Sequence, residues 1–156
     1  MRTPVLVLMF AVVLGLVGCG DQNAAVAITP APAPPTTEAN GMPSVLPPEV
    51  IEITSTEQFD AEIAKPRPDA VVIADFHAEW CAPCRKLGPE LVTIALAHPG
   101  KFFVLRVDFD QHPKLVERFQ VETLPLLVKF TGGKESARHE GYEKDKAKFA
   151  TWLGIR

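Results

Sequence analysis

The feature that most restricts this chain is Trp80-Cys81-Ala82-Pro83-Cys84, placed where an apolar run gives way to a helical pattern. The run, Ala70-Val71-Val72-Ile73-Ala74, is continuous, as expected for a central strand buried on both faces. A helix follows from about Cys81 to Ala97, with Leu87, Leu91 and Ile94 on its inner face and Pro89 expected to kink it. A helix N-terminus presents free N–H groups and partial positive charge, and both stabilise a thiolate. A thiol brought toward ambient pH is a fast nucleophile and still a usable leaving group. Two intervening residues put the second sulfur one helical turn away, within disulfide reach. Pro83 suits the first turn, where its missing N–H costs little.

Other uses of a Cys-x-x-Cys pair fit less well. Structural zinc needs four ligands, and there is no second cysteine pair. Covalent haem needs histidine after the second cysteine, where Arg85 stands. An inert structural disulfide remains an alternative. So does a Cu(I)-binding module, although a third soft ligand is wanted and no methionine follows Met42. Redox chemistry is the leading reading, with the cysteine pair in place of any cofactor or metal.

The surrounding pattern is that of an α/β domain over residues 49–156. Val50 to Ile53 reads as a short strand, and Ser55 to Ala64 as a helix with capping-box spacing between Ser55 and Gln58. Phe59 and Ile63 form an i, i+4 apolar pair on it, and Pro66 and Pro68 end it. Phe102 to Val107 is a second buried strand, and Lys114 to Phe119 a short helix. Leu126 to Phe130, the turn signal Thr131-Gly132-Gly133-Lys134 and Glu135 to Glu140 predict an antiparallel hairpin. Asp145 to Leu153 closes the chain as a helix. The order βαβαβαββα implies a central mixed sheet flanked by helices on both faces.

The N-terminal third is a different object. Arg2 precedes an apolar run from Val5 to Val17, about the length of a secretory signal core and too short for a confident membrane span. It ends in Leu16-Val17-Gly18-Cys19, which resembles the bacterial lipobox. That resemblance implies cleavage after residue 18 and lipid attachment at Cys19; the alternative is an uncleaved anchor helix. Seven of the fifteen prolines fall between Pro30 and Pro48, so residues 19–48 read as an extended, proline-rich tether. The net charge of −3 offers no basic excess for nucleic acid.

The segment Ala74-Asp75-Phe76-His77-Ala78-Glu79-Trp80-Cys81-Ala82-Pro83-Cys84-Arg85-Lys86 closely resembles the active-site segment of thioredoxins. Pro89, Pro125 in Thr123-Leu124-Pro125-Leu126, and Gly141 match further family positions in order. The resemblance covers about residues 49–156 and implies the thioredoxin fold. It also implies roles. Cys81 is the nucleophile that forms a mixed disulfide with a target. Cys84 resolves it and closes the Cys81–Cys84 bridge. Asp75, ending an apolar strand, is a buried acid with a raised pKa that exchanges a proton with Cys84; the alternative is a solvated strand-end carboxylate. Arg106 replaces a family lysine, and either holds Asp75 ionised or forms a surface salt bridge. Pro125 is expected in cis, with the backbone of Leu124 free to pair with an extended substrate. Trp80 belongs to the docking surface, or to the core. His77 departs from the tryptophan of many thioredoxins, and is expected to face solvent rather than to tune Cys81.

These readings combine into a monomeric, lipid-anchored thiol–disulfide oxidoreductase of the bacterial cell envelope, facing the periplasm where there is one. The Ala82-Pro83 dipeptide resembles reducing thioredoxins, so the expected direction is reduction of disulfide-bearing proteins, with electrons from a membrane thiol donor. Oxidation or isomerisation of thiols by the same fold is the alternative.

Overall fold

The computed structural model describes residues 45–155. The signal segment, Cys19 and most of the tether lie outside the described residues. Five strands and four helices alternate as β1 (Val50–Glu52), α1 (Thr56–Ala64), β2 (Val71–His77), α2 (Ala82–Ala97), β3 (Phe102–Asp108), α3 (Pro113–Phe119), β4 (Leu126–Thr131), β5 (Lys134–Glu140) and α4 (Lys146–Leu153). This is the predicted order. The sheet runs β1-β3-β2-β4-β5; β1, β3 and β2 are parallel, and β4 and β5 are antiparallel to their neighbours.

The central position of β2 follows from its sequence. Every residue from Val72 to Phe76 is buried, because helices cover both faces of the sheet. Alternation along the strand divides the core in two. On one face Val72, Ala74 and Phe76 pack with Phe59 of α1 and Leu115 and Phe119 of α3. On the other, Ile73 packs with Leu87 and Leu91 of α2 and with Phe149 and Leu153 of α4. The first core is aromatic: the Phe59 ring lies 5.4 Å from Phe119 and 6.1 Å from Phe130, both edge to face.

Several boundaries differ from the sequence reading for local reasons. Ser55 caps α1, its hydroxyl accepting from the Gln58 N–H at 3.1 Å. The reciprocal bond is displaced by one residue, since Gln58 Oε1 accepts from the Thr54 N–H at 2.7 Å. Asp75 does not end β2. The strand continues through Phe76 and His77, because β3 supplies a parallel partner as far as Asp108. The helix α2 keeps its expected extent and runs through Pro89 to Ala97. Among the described residues no helix is long and apolar enough to cross a membrane.

Candidate active site

Ala78, Glu79 and Trp80 connect the end of β2 to α2, and Cys81 is the N-cap of that helix. Its sulfur accepts from the Cys84 N–H at 3.2 Å, so a free amide of the first turn points at Sγ, as the sequence placement requires. Cys81 and Cys84 are joined by a disulfide, with Cα atoms 5.3 Å apart. Both are buried, at 4% and 6% exposure, against Ala78 and the half-buried Phe109 and Leu124. Ala82 and Pro83 are exposed and occupy the first turn.

An open groove of about 420 Å³ runs past the cysteines, lined by Trp80, Cys81, Pro83, Phe109, Thr123 and Leu124 among others. Trp80 is 64% exposed, which excludes a core role. It is not loose: its indole N–H donates to Asp110 Oδ2 at 2.9 Å, and its ring meets Phe109 edge to face at 6.3 Å. The Leu124–Pro125 bond is cis. Pro125 has no N–H, and its carbonyl accepts from the Gly141 N–H at 2.8 Å. Gly141 has φ 75°, a conformation open to glycine at little cost. Among the described residues the Leu124 backbone makes no hydrogen bond, so its donor and acceptor stand free at the groove.

Asp75 shares strand parity with Ile73 and so faces the α2 side of the sheet. It is 2% exposed, and its Oδ1 has no hydrogen-bond partner. Burial pushes its pKa up from 3.8 to about 6; the Arg106 charge opposes this, and the Glu52 charge adds to it. The solvated alternative is thereby excluded.

Arg106 follows the salt-bridge alternative in part, pairing with a half-exposed carboxylate while being buried itself. It is buried, at 8% exposure, but makes no hydrogen bond to Asp75. Its Nε lies 2.9 Å from Glu52 Oε1, an ion-pair distance, although the N–H is not aimed at that oxygen. Its Nη2 lies 3.1 Å from His77 Nε2 and 3.3 Å from Nδ1. His77 therefore does not face solvent. It is half-buried against the guanidinium, because β2 extends far enough to bring it level with Asp108. Burial, and then the Arg106 charge, lower its pKa to about 4 against the opposing charge of Asp108. A guanidinium only donates, so the ring beside it must offer a lone pair.

Cys81, Trp80 and Leu124 thus meet at one groove, with Cys84 bridged to Cys81 behind it and Pro125 next in the chain to Leu124, while Asp75 and Arg106 lie in the sheet. Sequence reading did not single out Glu52, Phe109 or Asp110. Glu52 acts from two strands away, and the other two enter through the turn after β3. Among the described residues no group of three His, Cys, Asp or Glu side chains is gathered as a metal site would need.

Comparison with known proteins agrees with this geometry. The thioredoxin family model matches residues 50–154. Thioredoxin of Chlamydia trachomatis is 38% identical over 97 residues, spanning 62% of this chain and 89% of that protein. An H-type thioredoxin of Oryza sativa is 36% identical over 97 residues, spanning 62% and 79%. The crystal structure of Malassezia sympodialis thioredoxin superposes with a TM-score of 0.56 at 29% identity, covering 65% of this chain and 88% of that one. With its cysteine pair bridged at the head of α2, the chain belongs to the thioredoxin family of thiol–disulfide oxidoreductases.

Proposed function

We propose that the chain is a lipid-anchored reductase of protein disulfides in the bacterial cell envelope. The observation that carries the exchange chemistry is the capped Cys81 sulfur beside a groove whose Leu124 backbone is unpaired, and the reducing direction rests on the Ala82-Pro83 dipeptide. An extended target segment pairs with Leu124, placing its disulfide against Cys81. The Cys81 thiolate attacks one target sulfur; the new bond is the mixed disulfide, and the other target sulfur leaves as a thiolate. Cys84 then gives its proton to the ionised Asp75 and attacks Cys81 Sγ, expelling the second target thiolate. The target gains two electrons and the domain is left oxidised. A membrane thiol donor reverses the bridge for the next cycle. Anchoring rests on Arg2, the apolar run and Gly18-Cys19.

Cys84→Ser tests the mechanism. It keeps the nucleophile but removes the resolving thiol, so disulfide-linked adducts on Cys81 accumulate and dissolve on treatment with dithiothreitol. No adduct from a folded variant whose Cys81 thiol still reacts with a small alkylating reagent rejects the assignment of roles. The redox potential of the Cys81–Cys84 pair tests the direction. A potential typical of thioredoxin, about −270 mV, supports reduction, and one near −120 mV indicates an oxidant instead. Cys19→Ser should move the protein from the membrane fraction to the soluble one; retention on the membrane rejects the lipid anchor.

A further inference from the structure

Three ionisable residues lie side by side across three neighbouring strands. Glu52 of β1 is in register with Arg106 of β3, and Arg106 is in register with Asp75 of β2. In parallel strands, residues in register point to one face, so the three side chains form an acid–base–acid row. The two acids are not equivalent. The Glu52 side chain is 50% exposed, and Asp75 is 2% exposed. The single guanidinium between them has gone to the outer acid, with Nε 2.9 Å from Glu52 Oε1. Its Nη2 is engaged by the His77 ring at 3.1 Å. The inner acid is left with an Oδ1 that no donor reaches. An unpartnered buried carboxyl is costly when charged and much less so when protonated.

We propose that Glu52 is a positioning residue for thiol–disulfide exchange: it draws the Arg106 guanidinium toward the outer end of the row and so leaves the buried Asp75 carboxyl without a hydrogen-bonded cation and able to hold a proton. The proposal rests on Asp75 being the group that exchanges a proton with Cys84. His77 acts with Glu52, since a neutral ring accepts from Arg106 without offering Asp75 a charge. The residue also explains how a guanidinium, which never deprotonates, is tolerated beside an acid that must titrate. A lone Arg106 would hold Asp75 ionised and unable to return a proton to Cys84.

The other groups around Asp75 do not take this role. On β3, Asp108 accepts from the Asp110 and Gln111 amides. On β4, Leu127 is in register with Asp75, and the nearby Lys129 is held by the Trp152 carbonyl at 2.6 Å. From α2 come the Cys81 and Cys84 sulfurs, while Arg85 and Lys86 are exposed and Glu90 is bound by Tyr142 and Lys146. On α4, Lys148 lies out by Asp145.

The test is a carbon-detected NMR titration of the Asp75 carboxyl in the oxidised full chain. Glu52→Gln keeps the shape and removes the charge. The Asp75 midpoint should fall by about one pH unit, in line with the effect of an opposite charge set free beside a carboxylate. The pH at which the reductase rate is half-maximal should fall with it. Glu52→Asp, which keeps the charge, should restore most of the midpoint, and Glu117→Gln, an exposed carboxylate on α3, should leave it unchanged. An Asp75 midpoint in Glu52→Gln equal to that of the wild type overturns the proposal, as does the same fall in Glu117→Gln. A separate result, Asp75→Asn exchanging disulfides at the wild-type rate, overturns the proton role on which the proposal rests.

Discussion

Replacing Asp75 by Asn removes one titrating group from the core and leaves a side chain of nearly the same size. In the folded chain burial holds the Asp75 pKa at about 6, against 3.8 for the free group. Between those two values the native chain binds more protons than the unfolded one, so wild-type stability falls as pH rises through the window. Below about pH 3 both states carry a neutral Asp75 and the penalty is absent; above about pH 7 it is complete. The gap is about 2 pH units, at about 1.4 kcal/mol each, and amounts to about 3 kcal/mol. The buried amide of Asn adds its own cost of about 1–3 kcal/mol, but that cost does not vary with pH. The informative quantity is therefore the variant-minus-wild-type stability, which should rise by about 3 kcal/mol between pH 3 and pH 8. Titrating groups that do not interact with Asp75 cancel in that difference. Urea denaturation of the oxidised chain measures it: with a slope of about 1.5 kcal/mol per molar, the relative midpoint shifts by about 2 M across the range. A difference that stays flat with pH would mean that Asp75 titrates at an ordinary value, and would refute the reasoning from burial.

Two further outcomes follow from the packing and the charges. Phe59→Ala should cost about 3–5 kcal/mol, since Phe59 is fully buried and is ringed by Phe119 and Phe130; a loss under about 1 kcal/mol in chemical denaturation would show that this core closes over the gap. His77 should remain neutral down to about pH 5, because burial and the Arg106 charge hold its pKa near 4; a proton NMR midpoint near 6.5 would contradict its placement against the guanidinium.

The contrast between Asp75 and His77 shows where sequence reading reached its limit. Apolar continuity from Ala70 to Ala74 identifies the central strand, yet it stops one residue short of Asp75 and three short of His77. Polar residues end an apolar pattern without ending a strand, provided that a neighbouring strand continues to pair. That pairing comes from β3, some thirty residues on, and is invisible to a local window. The choice between the two readings of Arg106 was open for a related reason. Its family position pointed to Asp75 and its strand position to a surface ion pair, and the ion pair forms with Glu52, which β1 brings alongside only after the sheet has formed.

The sequence by itself determined the element order, the two apolar faces of the central strand and the cysteine pair at a helix N-terminus, while the cis proline followed from the resemblance to thioredoxins. The first three are legible because their cause is local: side-chain periodicity or the free amides of a first turn. Tertiary structure alone decided which carboxylate holds Arg106, that His77 is drawn in beside it, and that Trp80 is braced by Asp110 and Phe109 at the edge of the groove. Those outcomes depend on residues far apart in the chain competing for one partner, and that competition exists only once the strands lie side by side.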